Sequence, residues 1–316
     1  TAYEMCGRDW SSDVCSSDLA GADVTYLLRE KRKMLIDGAG LRVESPYGNF
    51  TVQPNTVTAA TVGQDYDLVI FAPKAYDLDD ALGSLAGALG EVVVLPFLNG
   101  LDHFDALDQK LGREHVMGGV AHIAATIKED GTVQQLSDIH MLTVGPRHAA
   151  HEELAKDFVA ICGTAPFKSA LSDDIEQVLW DKWVFLATLA GMTTLCRATI
   201  GEIVATPYGK PSTEQMYEEC CAVASAFHRP ISESARAKAL EMLTAQGSTF
   251  TASMLRDLLA GQRTEYEHIL GGLISRGVGQ GCEMPLLRLS LYPHGRSSGS
   301  ITRELKTRVR SEEETS

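Results

Sequence analysis

The sequence predicts an α/β domain built on an open, mainly parallel sheet, followed by an all-α domain. Three observations carry this. Short apolar runs alternate with helical stretches through the first half, and from about Asp173 the pattern becomes helical throughout. A chain of 316 residues is also long for a single core, which argues for two domains. The composition is that of a globular protein, 44% hydrophobic and 22% charged, with no apolar run long enough to span a bilayer. A net charge of −14 disfavours an extended nucleic-acid surface. Neither nucleic acid nor membrane is an expected partner; a small-molecule substrate is.

The opening stretch, TAYEMCGRDWSSDVCSSDL, has neither strand alternation nor helical periodicity, and no signal-peptide pattern. DWSSDVCSSDL reads as a translated sequencing-adapter scar joined to a truncated gene, with a genuine irregular arm as the alternative. Residues 1–20 are therefore expected to stand outside the first domain. ADVTYLLRE, from Ala22 to Glu30, reads as a buried strand ending in charge, and DYDLVIFAPK, from Asp65 to Lys74, as a second. Between them LRVESPYGNFTVQ alternates and turns at Pro46-Tyr47-Gly48, the pattern of a hairpin. Ala75 to Leu89 reads as a helix, and EVVVLPFLNG, from Glu91 to Gly100, as a third buried strand. Gly118 to Pro146 alternates around a turn at Gly131 and is expected to add antiparallel strands to the same sheet. In open parallel sheets ligands sit at the carboxyl ends of the strands, where Arg29, Lys74 and Asn99 all fall. Taken singly, Asn99-Gly100 is only a turn and Arg29 is equally a solvated strand-end arginine.

In the second half, LSDD supplies caps for IEQVLWDKWVFLATLAGMTTL, a helix apolar on nearly all sides and hence buried. Lys182 interrupts it between Trp180 and Trp183. Burying an unpaired ammonium is costly, so this lysine either snorkels to solvent or lines a polar cleft. Thr251 to Gly272 sets Ser253, Asp257 and Glu265 into an amphipathic helical pattern whose core face includes Met254, Leu258 and Ile269. Read alone, such charges are merely solvated. After about Tyr292 the chain turns polar and low in complexity, a tail expected to be disordered. The domain limits read in this way are 1–20, 21–166, 167–291 and 292–316. Seven cysteines lie scattered without a CxxC or CxxH arrangement, so neither a zinc site nor a disulfide framework is supported. They are expected to be reduced thiols of a cytoplasmic protein, the vicinal Cys220-Cys221 pair being buried in a helix. His122 and His140 lack ligand-like spacing, and no metal is predicted.

Three strings, TASMLRDLLAGQRTEYEHILGG, VVVLPFLNGLD around Asn99 and LWDKWVFLATLAGMTTLCRATIGEI around Lys182, together resemble the ketopantoate reductase family, the 2-dehydropantoate 2-reductases. The resemblance covers roughly Gly21 to Leu289. It implies a Rossmann-like NADP-binding domain at 21–166, an all-α C-terminal domain at 167–291, and NADPH-dependent reduction of 2-dehydropantoate to pantoate in pantothenate biosynthesis. Arg29 then stands where a dinucleotide fold that prefers NAD places an acidic residue; with Lys31 and Arg32 beside it, it favours the 2′-phosphate of NADPH. Lys74 and Asn99 are implied to lie beside cofactor and substrate. Lys182 is implied as the proton donor, with a pKa brought into reach by desolvation. Glu265 would position Lys182 and the substrate, Ser253 would bind the substrate's carboxylate or hydroxyl, Asp257 would support, and Asn99 would reach the substrate from the other domain.

Two departures from the family pattern bear on function. The best-known members carry asparagines four and eight residues after the lysine, where this chain has Leu186 and Ala190. The expected consequence is a less polar pocket, which makes a paralogue acting on another 2-oxo acid the alternative to 2-dehydropantoate reduction. Members also begin with a short strand running into GxGxxG, which would fall near Cys6 to Trp10, where only Gly7 occurs. A chain without that phosphate anchor would be catalytically silent. The oligomeric state stays open, with a homodimer among the options.

Overall fold

The computed structural model describes residues 2–6 and 23–295, apart from 65, 89, 91 and 166. The chain divides into two compact units between Leu179 and Trp180. The described elements of the first unit run β1 (Ala2–Cys6), β2 (Val24–Leu27), α1 (Glu30–Ala39), β3 (Leu41–Glu44), β4 (Phe50–Val52), β5 (Asn55–Val57), β6 (Leu68–Ala72), a 3₁₀ turn (Ala75–Asp77), α2 (Leu78–Ser84), β7 (Val93–Pro96), α3 (Asp102–Leu111), β8 (Gly118–Ile127), β9 (Val133–Gly145), α4 (Glu152–Cys162) and β10 (Lys168–Leu171).

Five strands make a parallel sheet in the order β5-β2-β1-β6-β7. The LVIFA run of β6 is buried along its whole length, as a strand covered on both faces must be. On one face Tyr26, Ile70 and Leu95 pack with Leu142 and Val144 of β9 and Phe158 of α4. On the other, Val69, Phe71 and Val94 pack with Leu82 of α2 and Phe104 and Leu107 of α3.

The reading of residues 1–20 as lying outside the fold is corrected at β1, the central strand, which pairs with β2 on one side and β6 on the other. Five residues are too few for alternation to register in a sequence. Residues 7–22, with the scar and the expected position of the glycine loop, lie outside the described residues. The expected hairpin forms, with Leu41 opposite Val52 and Val43 opposite Phe50. Gly118 to Pro146 gives antiparallel strands, but they do not extend the parallel sheet. They build a second sheet in the order β10-β9-β3-β4, with β8 on β9, and a parallel bridge between Val94 and Val116 leads from one sheet to the other. Alternation identifies a strand's faces, not its partner.

The first unit also runs beyond the expected limit at 166. β10 pairs in parallel with β9, and Ile175 and Leu179, at the start of α5 (Ile175–Cys196), belong to its helix-side core. The division therefore falls inside α5.

The second unit is helical among the described residues: the remainder of α5, then α6 (Ile200–Val204), α7 (Gly209–Ala226), α8 (Glu233–Leu243), α9 (Ser253–Leu259), a π-helical turn (Glu267–Gly271), α10 (Gly272–Gly279), α11 (Pro285–Leu289) and α12 (Tyr292–Gly295). α6 begins with a capping box between Thr199 and Glu202. Gly209 opens α7 where the backbone passes close to Ile203 and Thr206. Glu219, buried in α7, accepts hydrogen bonds from the amides of Leu286 (3.2 Å) and Leu287 (2.9 Å) and so fastens α11. Burial pushes the Cys221 thiol up to about 12 and raises its neighbour Cys220 as well, so both are inert thiols at neutral pH.

Two expectations for this half are corrected. Thr251 to Gly272 is not one helix: α9 ends at Leu259, Gly261 takes φ +65°, and the Gln262 amide returns to the Asp257 carbonyl at 2.8 Å. The expected tail begins later than Tyr292, because α12 packs. His294 is fully buried, stacks on Tyr266 with centroids 4.9 Å apart, and places Nδ1 3.1 Å from the Thr264 hydroxyl. Burial first, and the Arg197 charge second, push its imidazole down to about 4, so the ring packs neutral. Residues 296–316 lie outside the described residues. No described helix is long and apolar enough to cross a membrane, and among the described residues no cluster of His, Cys, Asp and Glu is placed to hold a metal.

Candidate active site

In the first unit the carboxyl ends of the parallel strands gather three of the expected residues. Arg29 follows β2 as the N-cap residue of α1; its side chain is 79% exposed and its guanidinium lies 4.0 Å from the Asp77 carboxylate. Lys74 follows β6 as the N-cap residue of the 3₁₀ turn and is half-buried. Asn99, also half-buried, follows β7 in a bend that Gly100 completes with φ +78°. Asp77, which the sequence reading missed, lies in the 3₁₀ turn that Lys74 opens and brings a carboxylate near Arg29. Arg32 is not part of this group, since its Nη1 donates to the Gly131 carbonyl at 2.8 Å. Lys33 pairs with Asp37, whose carboxyl is held below its usual range by the Lys33 and Thr56 hydrogen bonds.

This end of the sheet fits a nicotinamide dinucleotide. An exposed guanidinium stands just past β2, which neighbours the central strand β1; the strand order reverses on the other side of β1, between β1 and β6. Residues 7–22, which follow β1, lie outside the described residues, and their sequence carries only Gly7 and Gly21.

Asp174, still in the first unit, caps α5 by accepting from the Gln177 amide at 3.1 Å, and the helix crosses into the second unit at Trp180. The helix then runs buried through Val184, Ala187, Leu189 and Met192. Lys182 is half-buried on it between the buried rings of Trp180 and Trp183, whose centroids are 5.3 Å apart. Leu186, half-buried, and Ala190, buried, follow at helical spacing on the face of Lys182.

Two contacts bring other expected residues toward this helix. Trp183 Nε1 donates to the carbonyl of Ile269 at 2.9 Å, inside the π-turn that begins two residues after buried Glu265. The turn of α5 that carries Lys182 is thereby held to the segment that carries Glu265. Phe185 stacks with Phe250 at 6.2 Å, and Phe250 stands three residues before Ser253, the half-buried first residue of α9. Asp257 is half-buried one turn further along. Trp183 and Phe250 were missed from sequence, although a buried indole N–H requires an acceptor and was the signal to follow. The π-turn has no such local signal.

The helix that carries Lys182 is held to the segment of buried Glu265, and Arg29 and Lys74 stand at the strand ends of the α/β unit. Comparison with known proteins gives the family. Residues 14–148 match the family model for ketopantoate reductase PanE/ApbA, and residues 174–292 match the model for its C-terminal domain. An uncharacterized oxidoreductase of Bacillus subtilis is 31% identical over 268 residues, 84% of this chain and 88% of that protein. A 2-dehydropantoate 2-reductase of Halobacterium salinarum is 27% identical over 79% of this chain and 82% of its own. Among solved structures, a 2-dehydropantoate 2-reductase from Geobacter metallireducens superposes with a TM-score of 0.85 at 23% identity, covering 94% of this chain and 100% of that one. An N-terminal α/β sheet domain and a helical C-terminal domain, each matched by its own model, place this chain in the ketopantoate reductase family of oxidoreductases.

Proposed function

We propose that the protein reduces the ketone of a 2-oxo acid to the 2-hydroxy acid, using NADPH in preference to NADH. The observation that supports this most is the setting of Lys182, an ammonium on a buried helix pinned through Trp183 to the segment of Glu265. A bound nicotinamide dinucleotide supplies the hydride for the carbonyl carbon. Lys182 Nζ hydrogen-bonds the carbonyl oxygen, favours the charge that develops there, and gives that oxygen its proton. Glu265 orients the ammonium and returns its charge balance once the proton has left. Ser253 binds the carboxylate of the acid, and Asn99 and Lys74 contact the cofactor in the first unit. The substrate to test first is 2-dehydropantoate, by which the relatives are named, and the reading then places the protein in pantothenate biosynthesis in the cytoplasm.

The test is oxidation of NADPH by the purified chain with 2-dehydropantoate and with a panel of other 2-oxo acids. Consumption with none of them, by protein that binds NADPH, removes the reading. A second reading, a chain that is catalytically silent, is favoured by the lack of GxGxxG between Cys6 and Val24. Calorimetric titration of NADPH decides between the two, because an intact phosphate site gives a Kd on the order of micromolar and a missing one gives no heat of binding. Arg29→Asp is expected to shift the NADPH to NADH ratio of kcat/KM by about tenfold or more toward NADH, the loss of a charge-assisted contact to the 2′-phosphate. An unchanged ratio takes Arg29 out of the site.

A further inference from the structure

We propose that His294 is a positioning residue for Glu265, and through Glu265 for the Lys182 ammonium; the proposal rests on the oxo-acid reductase reading above. The stretch that delivers Glu265 needs such a hold. α9 ends at Leu259, and Gln262 to Glu265 belong to no helix or strand, so no ladder of backbone hydrogen bonds sets their course. The Trp183 bond fastens the chain at Ile269, downstream of the carboxylate.

His294 grips the chain on both sides of Glu265. Its ring stacks on Tyr266 with the planes 8° apart, and its Nδ1 lies 3.1 Å from the Thr264 hydroxyl. With both neighbours held, buried Glu265 has little freedom to swing. The helix that supplies His294 is seated in turn on the helix of Lys182. Ser290, buried at the corner between α11 and α12, lies so close to Gly191 of α5 that a Cβ there would stand 3.3 Å from the Ser290 Cβ and Oγ. The His294 amide closes α12 onto the Leu291 carbonyl at 3.1 Å. One short helix thus joins α5 to the segment of Glu265, inside the second unit. Because the His294 ring packs neutral, it does not compete with the Lys182 ammonium for the carboxylate.

The experiment separates the grip from general stability. His294→Phe keeps a ring on Tyr266 and loses the nitrogen; Thr264→Val keeps the shape and loses the hydroxyl; His294→Asn gives up the stack and keeps a hydrogen-bonding group. For these, and for the double variant His294→Phe/Thr264→Val, kcat and KM on the best 2-oxo acid are measured across pH at saturating NADPH, with NADPH titration and Tm beside them. His294→Phe and Thr264→Val are each expected to lower kcat by about tenfold, with KM and the NADPH Kd within about twofold, since a small misplacement of a reacting group costs turnover before it costs binding. The double variant should fall no more than about threefold below either single one, because both break the same bond. His294→Asn should keep kcat within about threefold of the parent. In the first two variants the alkaline limb of the kcat profile should move to lower pH, as an ammonium whose carboxylate has swung away gives up its proton more readily. Parental kcat and an unmoved limb in both overturn the proposal, and so do losses that multiply in the double variant, or losses that only follow Tm. If His294→Phe does not fold, Thr264→Val, which leaves α12 intact, decides alone. Failure of the parent to reduce any acid of the panel, while it binds NADPH, sinks the reductase reading and the proposal together.

Discussion

Lys182→Ala is expected to lower turnover by about 10²- to 10⁴-fold, the usual worth of a positioned general acid, while NADPH binding survives. The separation follows from where the groups sit. Arg29 and Lys74 belong to the sheet of the first unit, and Lys182 to α5 in the second. Because Lys182 is only half-buried, its truncation opens little space and the fold should hold. Glu265→Gln is expected to be milder or comparable, since it alters orientation and charge rather than the proton supply. Stopped-flow reduction on the best substrate, with NADPH titration beside it, gives the answer. Near-normal turnover in Lys182→Ala would show a lysine that only snorkels to solvent and would end the mechanism proposed above.

The largest stability effect is expected at Gly209, where α7 begins. A Cβ there overlaps the Ile203 carbonyl oxygen, stands 2.5 Å from that carbonyl's carbon and 2.8 Å from the Thr206 hydroxyl. The obstructing atoms are mostly backbone of α6, so no rotamer change relieves the clash. Gly209→Ala should cost about 3 kcal/mol or more, lowering Tm by roughly 10 °C. Gly279→Ala is the matched control. Its Cβ meets nothing within 4 Å, and the position is exposed at the end of α10. A Tm for Gly209→Ala within about 2 °C of the control would mean that α6 and α7 shift apart freely, contrary to their close packing.

Much of the fold was legible because burial leaves marks that sequence shows directly. The LVIFA run of β6 reads as a strand buried on both faces, and the hairpin of β3 and β4 announces itself at Pro46-Tyr47-Gly48. β1 was not legible, since its place is fixed by two neighbours far along the chain and not by any pattern within five residues. The second sheet was hidden for a related reason: β9 alternates as a strand of either sheet would. In the site, Lys182 stood out as a charge in an apolar helix, and its neighbours on that face followed from helical spacing. The break after α9 was readable at Gly261 and was overlooked because the apolar spacing runs on across it. What joins the parts, the Trp183 bond to Ile269 and the Phe185 and Phe250 stack, spans long stretches of chain and has no local signature.

The π-turn at Glu267–Gly271 makes the direction of Glu265 a matter of residue count. An α-helix advances about 100° per residue, and a π-turn carries one residue more than the helix around it. Glu265, whose carbonyl accepts from the Ile269 amide, and Tyr266 stand just ahead of the turn and are thus set one residue's rotation from where an α-helical start to α10 would put them. Substitutions within the turn leave that phase alone. Removing one residue from it would restore an ordinary helix and keep the core face of α10 in place, yet carry the Glu265 carboxylate roughly 100° around the axis. Over evolutionary drift, this short stretch should tolerate changes in identity far better than changes in length.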